Sequence, residues 1–419
     1  MTSGYSHRTR TLWLSGVLHG FTHLYSVALL PLYLLIQEDL HVASVAQVTF
    51  LITVMMLSYV LPSYSMGVLA DRMSRKKLLG FGLALNATGF VALSMAPNFA
   101  GCLVCVAVAG LGGSFYHPAA TALVARLYPT NTGRALGFVG MGASVGFFIG
   151  PIYAGWRAAH AGWRTPVLEL GIAGLIAAAA FMWLAEETST GSAVPGRVHP
   201  QRTEKMFPSV AAWGFFLAAG LFLSLRDFTG SAMGSLGSLF LQKAHGLDPR
   251  ATGLALSGIF LASVVSNPLF GHLSDRARMR YTGMVLGAAA LVVALFPYVP
   301  KGWEFALFMV YGFFFLASYP MVEAALMLAV PDAVRGRVFG LFITMGGLVG
   351  NLGHWLSGVW VRDLGPAATR PEGFREIYLR LSLLVIASLC ALPCLHALRK
   401  REEIERVPVG AALAPSQSS

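Results

Sequence analysis

Charge is scarce in this chain. Asp, Glu, Lys and Arg make up 12% of its 419 residues, where a soluble domain carries about 25%. So few charges cannot clothe a globule of this length in a surface that water accepts, so the missing solvent is lipid. Cysteine is rare too. Cys102, Cys105, Cys390 and Cys394 lie in apolar stretches at helical spacing, with no histidine cluster beside them. They read as small buried hydrophobes rather than disulfides or metal ligands. No Gly-Lys dipeptide occurs, so no P-loop can form, which disfavours ATP-driven transport. No Ser-His-Asp set or metal-ligand pattern converges, and no soluble segment could house one. We expect a protein that is not an enzyme and that takes no cofactor or metal. Net charge is +11, yet the basic residues sit in short connectors, without a continuous basic face and interleaved aromatics. That pattern excludes nucleic acid and fits anionic membrane lipids.

Apolar length is what the chain has in abundance. Hydrophobic residues make up 56% and mean hydropathy is +0.65. A helix crosses a bilayer with about 20 mostly apolar residues. Such runs fall near 11–36, 44–66, 78–96, 99–127, 132–158, 163–184, 209–241, 251–270, 281–299, 304–330, 336–361 and 377–398. The predicted fold is therefore all-α, with twelve transmembrane helices. The runs at 99–127, 209–241 and 304–330 are long enough to require tilt or kinks, and Pro118 and Pro320 supply kink points. Of the 30 Lys and Arg, 20 fall in connectors on the N-terminal side, nine on the other, and Arg226 within a span. The positive-inside rule then places both termini in the cytoplasm. The first apolar run has no small-residue cleavage site and reads as a retained helix. Residues 1–184 and 209–398 read as two six-helix bundles, 185–208 as a cytoplasmic linker and 399–419 as a cytoplasmic tail.

The two halves repeat one another. Gly67-Val-Leu-Ala-Asp71-Arg72 recurs as Gly271-His-Leu-Ser-Asp275-Arg276, 204 residues on. Gly133-Arg134-Ala-Leu-Gly137 recurs as Gly336-Arg337-Val-Phe-Gly340, and His117-Pro118 aligns with Tyr319-Pro320. The chain is a duplicated, pseudo-symmetric six-helix unit. Gly67, Leu69, Asp71, Arg72, Arg75 and Lys76 fit G-x-L-x-D-R-x-G-R-K, with Ser74 replacing a glycine. A duplicated six-helix unit with that signature resembles the major facilitator superfamily over nearly the whole chain. Gly146-Phe-Phe-Ile-Gly150-Pro151-Ile-Tyr-Ala154-Gly155 is similar to the superfamily's antiporter motif G-x-x-x-G-P-x-x-G-G. Gly110-Leu-Gly-Gly-Ser-Phe-Tyr116-His117-Pro118, followed by Gly133-Arg134, resembles the fosmidomycin-resistance type of drug exporter.

That resemblance implies a monomeric, proton-coupled secondary transporter in a bacterial inner membrane. It would export a small anionic or amphipathic compound by alternating access, with protons and lipids as its other partners. Two departures bear on coupling. The family pairs a histidine with an aspartate four residues on in the first helix, where this chain has His19 and His23. Val106 also stands where many proton-driven antiporters hold a helix-four arginine. An uptake symporter for a small organic anion is the rival reading, because fold and motifs do not fix direction. A non-transporting receptor is a weaker one.

Ionisable groups at membrane depth are expensive and mark functional sites by default. The candidates are His19, His23, His117, Glu169, Arg226, Asp227 and Glu323. His19 and His23, at i and i+4, share a helix face and suit a proton relay or a ligand contact, or equally two packed, hydrogen-bonded polar groups. A zinc site of the H-E-x-x-H kind is disfavoured by Gly20. Arg226 and Asp227 point about 100° apart on their helix, so we expect them not to pair face to face. Asp227 aligns with His23 across the repeat, so the two should approach a central cavity from opposite halves. Asp227 would carry the coupling proton and Arg226 an anionic substrate group; the plain alternative is a structural ion pair with another helix. Glu323, just after Pro320, is either a second proton site or a solvated carboxylate, and Glu169 reads as structural. Tyr116, with Phe21, Tyr25, Phe228 and Tyr319, flanks these groups.

The glycine loops carry a gating reading. By resemblance, Gly67, Asp71, Arg72 and Arg75 would latch against the start of helix eleven near Gly336 in the outward-facing state. Asp275 and Arg276 are their counterparts. On helix five, Gly142, Gly146 and Gly150 recur every four residues ahead of Pro151, spacing that allows close helix packing.

Overall fold

The computed structural model describes residues 2–187, 205–330 and 334–405. The linker proposed at 185–208 and the tail at 399–419 lie largely outside them. Within them, ten helices or helix pairs are long and apolar enough to cross a membrane. Two further crossings come from an interruption of the helix at Ala277 inside one of the ten and from the less apolar helices at 335–364.

In chain order, α1 runs Thr2–Ala28 and continues through a 3-10 turn at Leu30–Leu32 into Tyr33–Asp39. Helix α2 is Val45–Val60 with Ser63–Arg72, and α3 is Arg75–Met95. Helix α4 is Phe99–Ser114 with Tyr116–Leu127, α5 is Thr132–Ala161 and α6 is Arg164–Leu184. The second series begins with α7, Val210–Lys243, then α8 at 249–276 and α9 at 278–295. It ends with α10 (Glu304–Phe315 and Ser318–Ala329), α11 (Arg335–Gly350 and Leu352–Leu364) and α12 (Arg375–Ser388 and Ala391–Glu405).

The helix ends follow side-chain chemistry. Ser44 with Gln47 forms a capping box for α2, while Asn98, Ser209 and Asp248 accept from the first-turn amides of α4, α7 and α8. The breaks in α4, at Phe115, and in α10, at Leu316 and Ala317, fall three to four residues before Pro118 and Pro320. A proline ring clashes with the carbonyl at i−4 and leaves it without a donor. Pro151, by contrast, is carried inside an unbroken α5. One connector differs from expectation. The Gly271–Arg276 stretch is helical, and only Ala277, at φ −154° and ψ 62°, leaves the helix between α8 and α9.

The outer surface is apolar. Trp183 is 83% exposed and Ile176, Val104 and Leu291 exceed half, the face lipid requires. Helices α1–α6 and α7–α12 meet chiefly at the end remote from the start of α1. There the backbones of α5 and α8 close on one another: a Cβ at Gly253 would fall on the Pro151 carbonyl, and one at Gly155 on the Pro249 carbonyl. Thr53 of α2 donates to the Asn351 carbonyl at 2.9 Å and accepts from the Trp355 amide of α11 at 3.0 Å. Ser238 of α7 donates to the Leu30 carbonyl at 2.5 Å.

Candidate functional site

Between the two series of helices lies a cavity of ≈580 Å³. Its first-half wall includes His23, Tyr25, Tyr59 and Asn86; its second-half wall includes Asn267, Tyr311, Tyr319 and Glu323, with His354 of α11. Phe147 of α5 stacks on Phe260 of α8 at 4.6 Å across the gap. Phe21 and Phe228, expected at the polar groups, are not on this wall; Phe228 packs against Trp360 instead.

The i, i+4 spacing on α1 brings His19 and His23 together, with Nε2 to Nε2 at 3.0 Å. Nδ1 of His19 faces the Val139 carbonyl of α5 at 3.0 Å, so in a neutral ring that nitrogen carries the proton. His19 Nε2 then accepts from His23. Sequence spacing kept His117 apart from this pair. The break in α4 turns it toward them, and one ring nitrogen from each of the three histidines lies within 4.8 Å of the others. Tyr116 stacks on His19 at 4.6 Å, its hydroxyl anchored on the Ser15 carbonyl at 2.7 Å. His23 is on the cavity wall; His19 and Tyr116 stand one layer back.

The opposite cluster corrects an expectation. Arg226 and Asp227 do pair: Nε and Nη2 both donate to Oδ1 of Asp227, at 3.0 and 2.8 Å. Their Cα–Cβ bonds diverge, but the long arginine arm folds back along the helix to reach its neighbour. Arg226 is 2% exposed and its guanidinium lies 4.0 Å from the centre of the Tyr319 ring. Its Nη1 has no hydrogen-bond partner among the described residues. Asp227 lies against Gly346 and Gly350 of α11, where a Cβ would collide with it. Neither residue is on the cavity wall; Tyr319 is. Glu323 reaches the wall in electrostatic range of both, with no hydrogen-bond or ion-pair partner of its own among the described residues.

Glu169 is a structural partner, held by Arg157 Nε at 2.9 Å and the Tyr153 hydroxyl at 2.7 Å. Among the gating residues, Asp275 at the end of α8 pairs with Arg278 at the start of α9 at 2.9 Å, and Arg72 and Arg276 are exposed. The side chain of Asp71 lies outside the described residues. Gly142 and Gly146 press on the Gly16 and Gly20 carbonyls of α1. The four cysteines are free, but of the four expected to be buried only Cys102 is; Cys105 and Cys394 are half-buried and Cys390 is exposed.

His354 was missed by the sequence reading. Its Nδ1 meets the Ser235 hydroxyl at 2.7 Å, and that hydroxyl meets Tyr33 at 2.6 Å, a buried chain through α11, α7 and α1. The available signal was an imidazole within the apolar run at 336–361.

Comparison with known proteins bears on what such a cavity serves. The multi-drug resistance efflux pump PmrA of Streptococcus pneumoniae is 26% identical over 398 residues, covering 90% of this chain and 93% of that protein. The fosmidomycin resistance protein of Escherichia coli is 23% identical over 297 residues, 67% of this chain and 70% of its own. The multidrug resistance protein MdtG of Yersinia enterocolitica is 26% identical over 395 residues, 89% of each. In fold, the chain is similar to a bacterial homolog of the human lysosomal transporter Spinster, with TM-score 0.78 at 16% identity over 96% and 98% of the two chains. It is also similar to the nucleoside transporter NupG, with TM-score 0.73 at 14% identity over 92% and 99%. The family model of the Major Facilitator Superfamily matches residues 12–354 and 225–413. With an all-helical, lipid-facing fold around a central cavity, the chain belongs to the Major Facilitator Superfamily of membrane transporters.

Proposed function

We propose that this transporter is a proton-coupled exporter of small anionic or amphipathic compounds. It would work by alternating access in a bacterial inner membrane, with both termini cytoplasmic. The observation that carries the reading is the cavity between the two halves, with a carboxylate, Glu323, that has no hydrogen-bond or ion-pair partner among the described residues on one wall and an imidazole, His23, on the other. Under the positive-inside orientation, the α5–α8 and α2–α11 contacts close the periplasmic end. The cavity then faces the cytoplasm, ready to load a compound for export. The efflux and resistance proteins among its relatives support the same direction.

Export driven by protons requires that proton and substrate exclude one another. Glu323 meets that need: ionised, it accepts hydrogen bonds from a bound compound, and protonated it releases them. Arg226, fastened to Asp227 one layer behind Tyr319, would meet an anionic group through Nη1 once Tyr319 moved aside. An anion that displaced Asp227 from Arg226 would instead free that carboxylate to take a proton, and substrate and proton would move together.

Everted membrane vesicles given a panel that includes fosmidomycin, outside in one arm and preloaded in the other, test the sign of the coupling. Compound uptake into acidified vesicles, with dissipation of the pH gradient and loss of both in Glu323→Gln, is the expected result. Compound and protons leaving together would establish the symporter, and binding without flux a receptor.

A further inference from the structure

We propose that His19, His23 and His117 form a binding site for a divalent transition-metal ion, Zn²⁺ or a close congener. The donor atoms lie within 4.8 Å of one another, and Nε2 of His19 and Nε2 of His23 are 3.0 Å apart. A tetrahedral zinc ion at about 2.0–2.1 Å from each imidazole holds its ligand nitrogens about 3.3 Å apart, so small ring rotations complete the site. The outer shell is already built. The Val139 carbonyl takes the Nδ1 proton of His19 and turns its Nε2 lone pair into the cluster, the arrangement that fixes tautomer and ring orientation in metal sites. Tyr116 pins the same ring from its flat face.

Access is present as well: His117 is exposed and His23 borders the cavity. An all-imidazole donor set favours Zn²⁺, Cu²⁺, Ni²⁺ or Co²⁺ over Mg²⁺ or Ca²⁺. Three protein ligands leave a fourth position for water or a ligand atom. The site stands whether transport runs outward or inward.

The full chain, purified metal-free in detergent with a non-histidine affinity tag, is titrated with Co²⁺. One ion per chain, with the intense visible absorption of tetrahedral coordination and displacement by Zn²⁺, is expected. His23→Gln or His117→Gln should weaken binding at least about 100-fold, beyond the roughly 10–100-fold seen on losing an outer-shell partner. His354→Gln, a buried imidazole elsewhere, should not. X-ray absorption at the zinc edge of the unmutated protein reports imidazole ligands directly, so a variant that fails to fold does not decide the matter. Cobalt that stays octahedral, variants that bind like the parent, or an edge spectrum without imidazole would each overturn the assignment.

Discussion

Arg226 is a cation in a nearly water-free place, with Asp227 holding two of its donors. Removing one member of a buried pair leaves the other uncompensated, at a cost of roughly 3–5 kcal/mol. Asp227→Ala should therefore lower the thermal unfolding temperature in detergent markedly. Asp227→Asn keeps an acceptor and should lower it less, while abolishing pH-gradient-driven transport. Arg226→Gln combined with Asp227→Asn should recover part of the stability and none of the transport. A double variant no more stable than Asp227→Ala would show that charge compensation is not what Asp227 supplies. Glu187 offers a residue-scale effect of pH. Its carboxylate accepts from the Ser74 hydroxyl at 2.5 Å and from the Arg75 and Lys76 amides at 3.2 and 3.3 Å, capping the start of α3. Burial alone would raise its pKa, but these donors and the neighbouring Arg75 hold it below the ordinary glutamate value. A depressed folded pKa means the stabilisation is full above that ordinary value and is lost as pH falls through the lowered one. Glu187→Gln should cost about 0.5–2 kcal/mol, the scale of a lost helix cap, near neutral pH. Unfolding curves of the two proteins should converge on acidification, and a gap that persists in acid would exclude the cap.

At the scale of elements, the glycines of α5 separate packing from mere occurrence. A Cβ at Gly142 or Gly146 would strike the α1 backbone, whereas Gly140 on the same helix has nothing within 4 Å. Gly146→Ala should destabilise by roughly 1–3 kcal/mol through overpacking. Gly140→Ala should be neutral or slightly stabilising, since it removes only chain entropy; equal effects in differential scanning would sink the distinction. The small-xxx-small spacing was legible because it is local, as were the spans and the proline-driven breaks at Phe115 and Leu316. The helical course of 271–276 was not. Its charges read as a connector, but a helix emerging from the bilayer satisfies its own amides and need not end where lipid does. Convergence over long separations was hidden for another reason. His117 joins His19 and His23 only because a break in α4 turns it inward, and Arg226 reaches Asp227 only because its arm bends back. Periodicity describes where a side chain starts, not where a long or hinge-borne one finishes.

For the molecule as a whole, the end remote from the termini is shut by backbone against backbone. Gly253 meets the Pro151 carbonyl and Gly155 the Pro249 carbonyl, with Thr53 bonded across to α11. No side chain larger than hydrogen fits there without parting the helices, so size at Gly253 biases the balance between the two ends. A coupling of about 1–3 kcal/mol shifts such an equilibrium about 5- to 150-fold. Gly253→Trp should therefore favour the arrangement in which this end opens and the opposite one closes. Ser231 lies on the cavity wall, so a Ser231→Cys reporter, in a chain whose four native cysteines are replaced, reads the change with a membrane-impermeant thiol reagent. In the parent, labelling should be fast from the side bearing the termini and slow from the other. In Gly253→Trp the preference should reverse, and transport should fall because one half of the cycle is held out of reach. Unchanged sidedness in a well-folded variant would mean that α5 and α8 do not form the gate, and that the hydrogen bonds from Thr53 and Ser238 close this end alone.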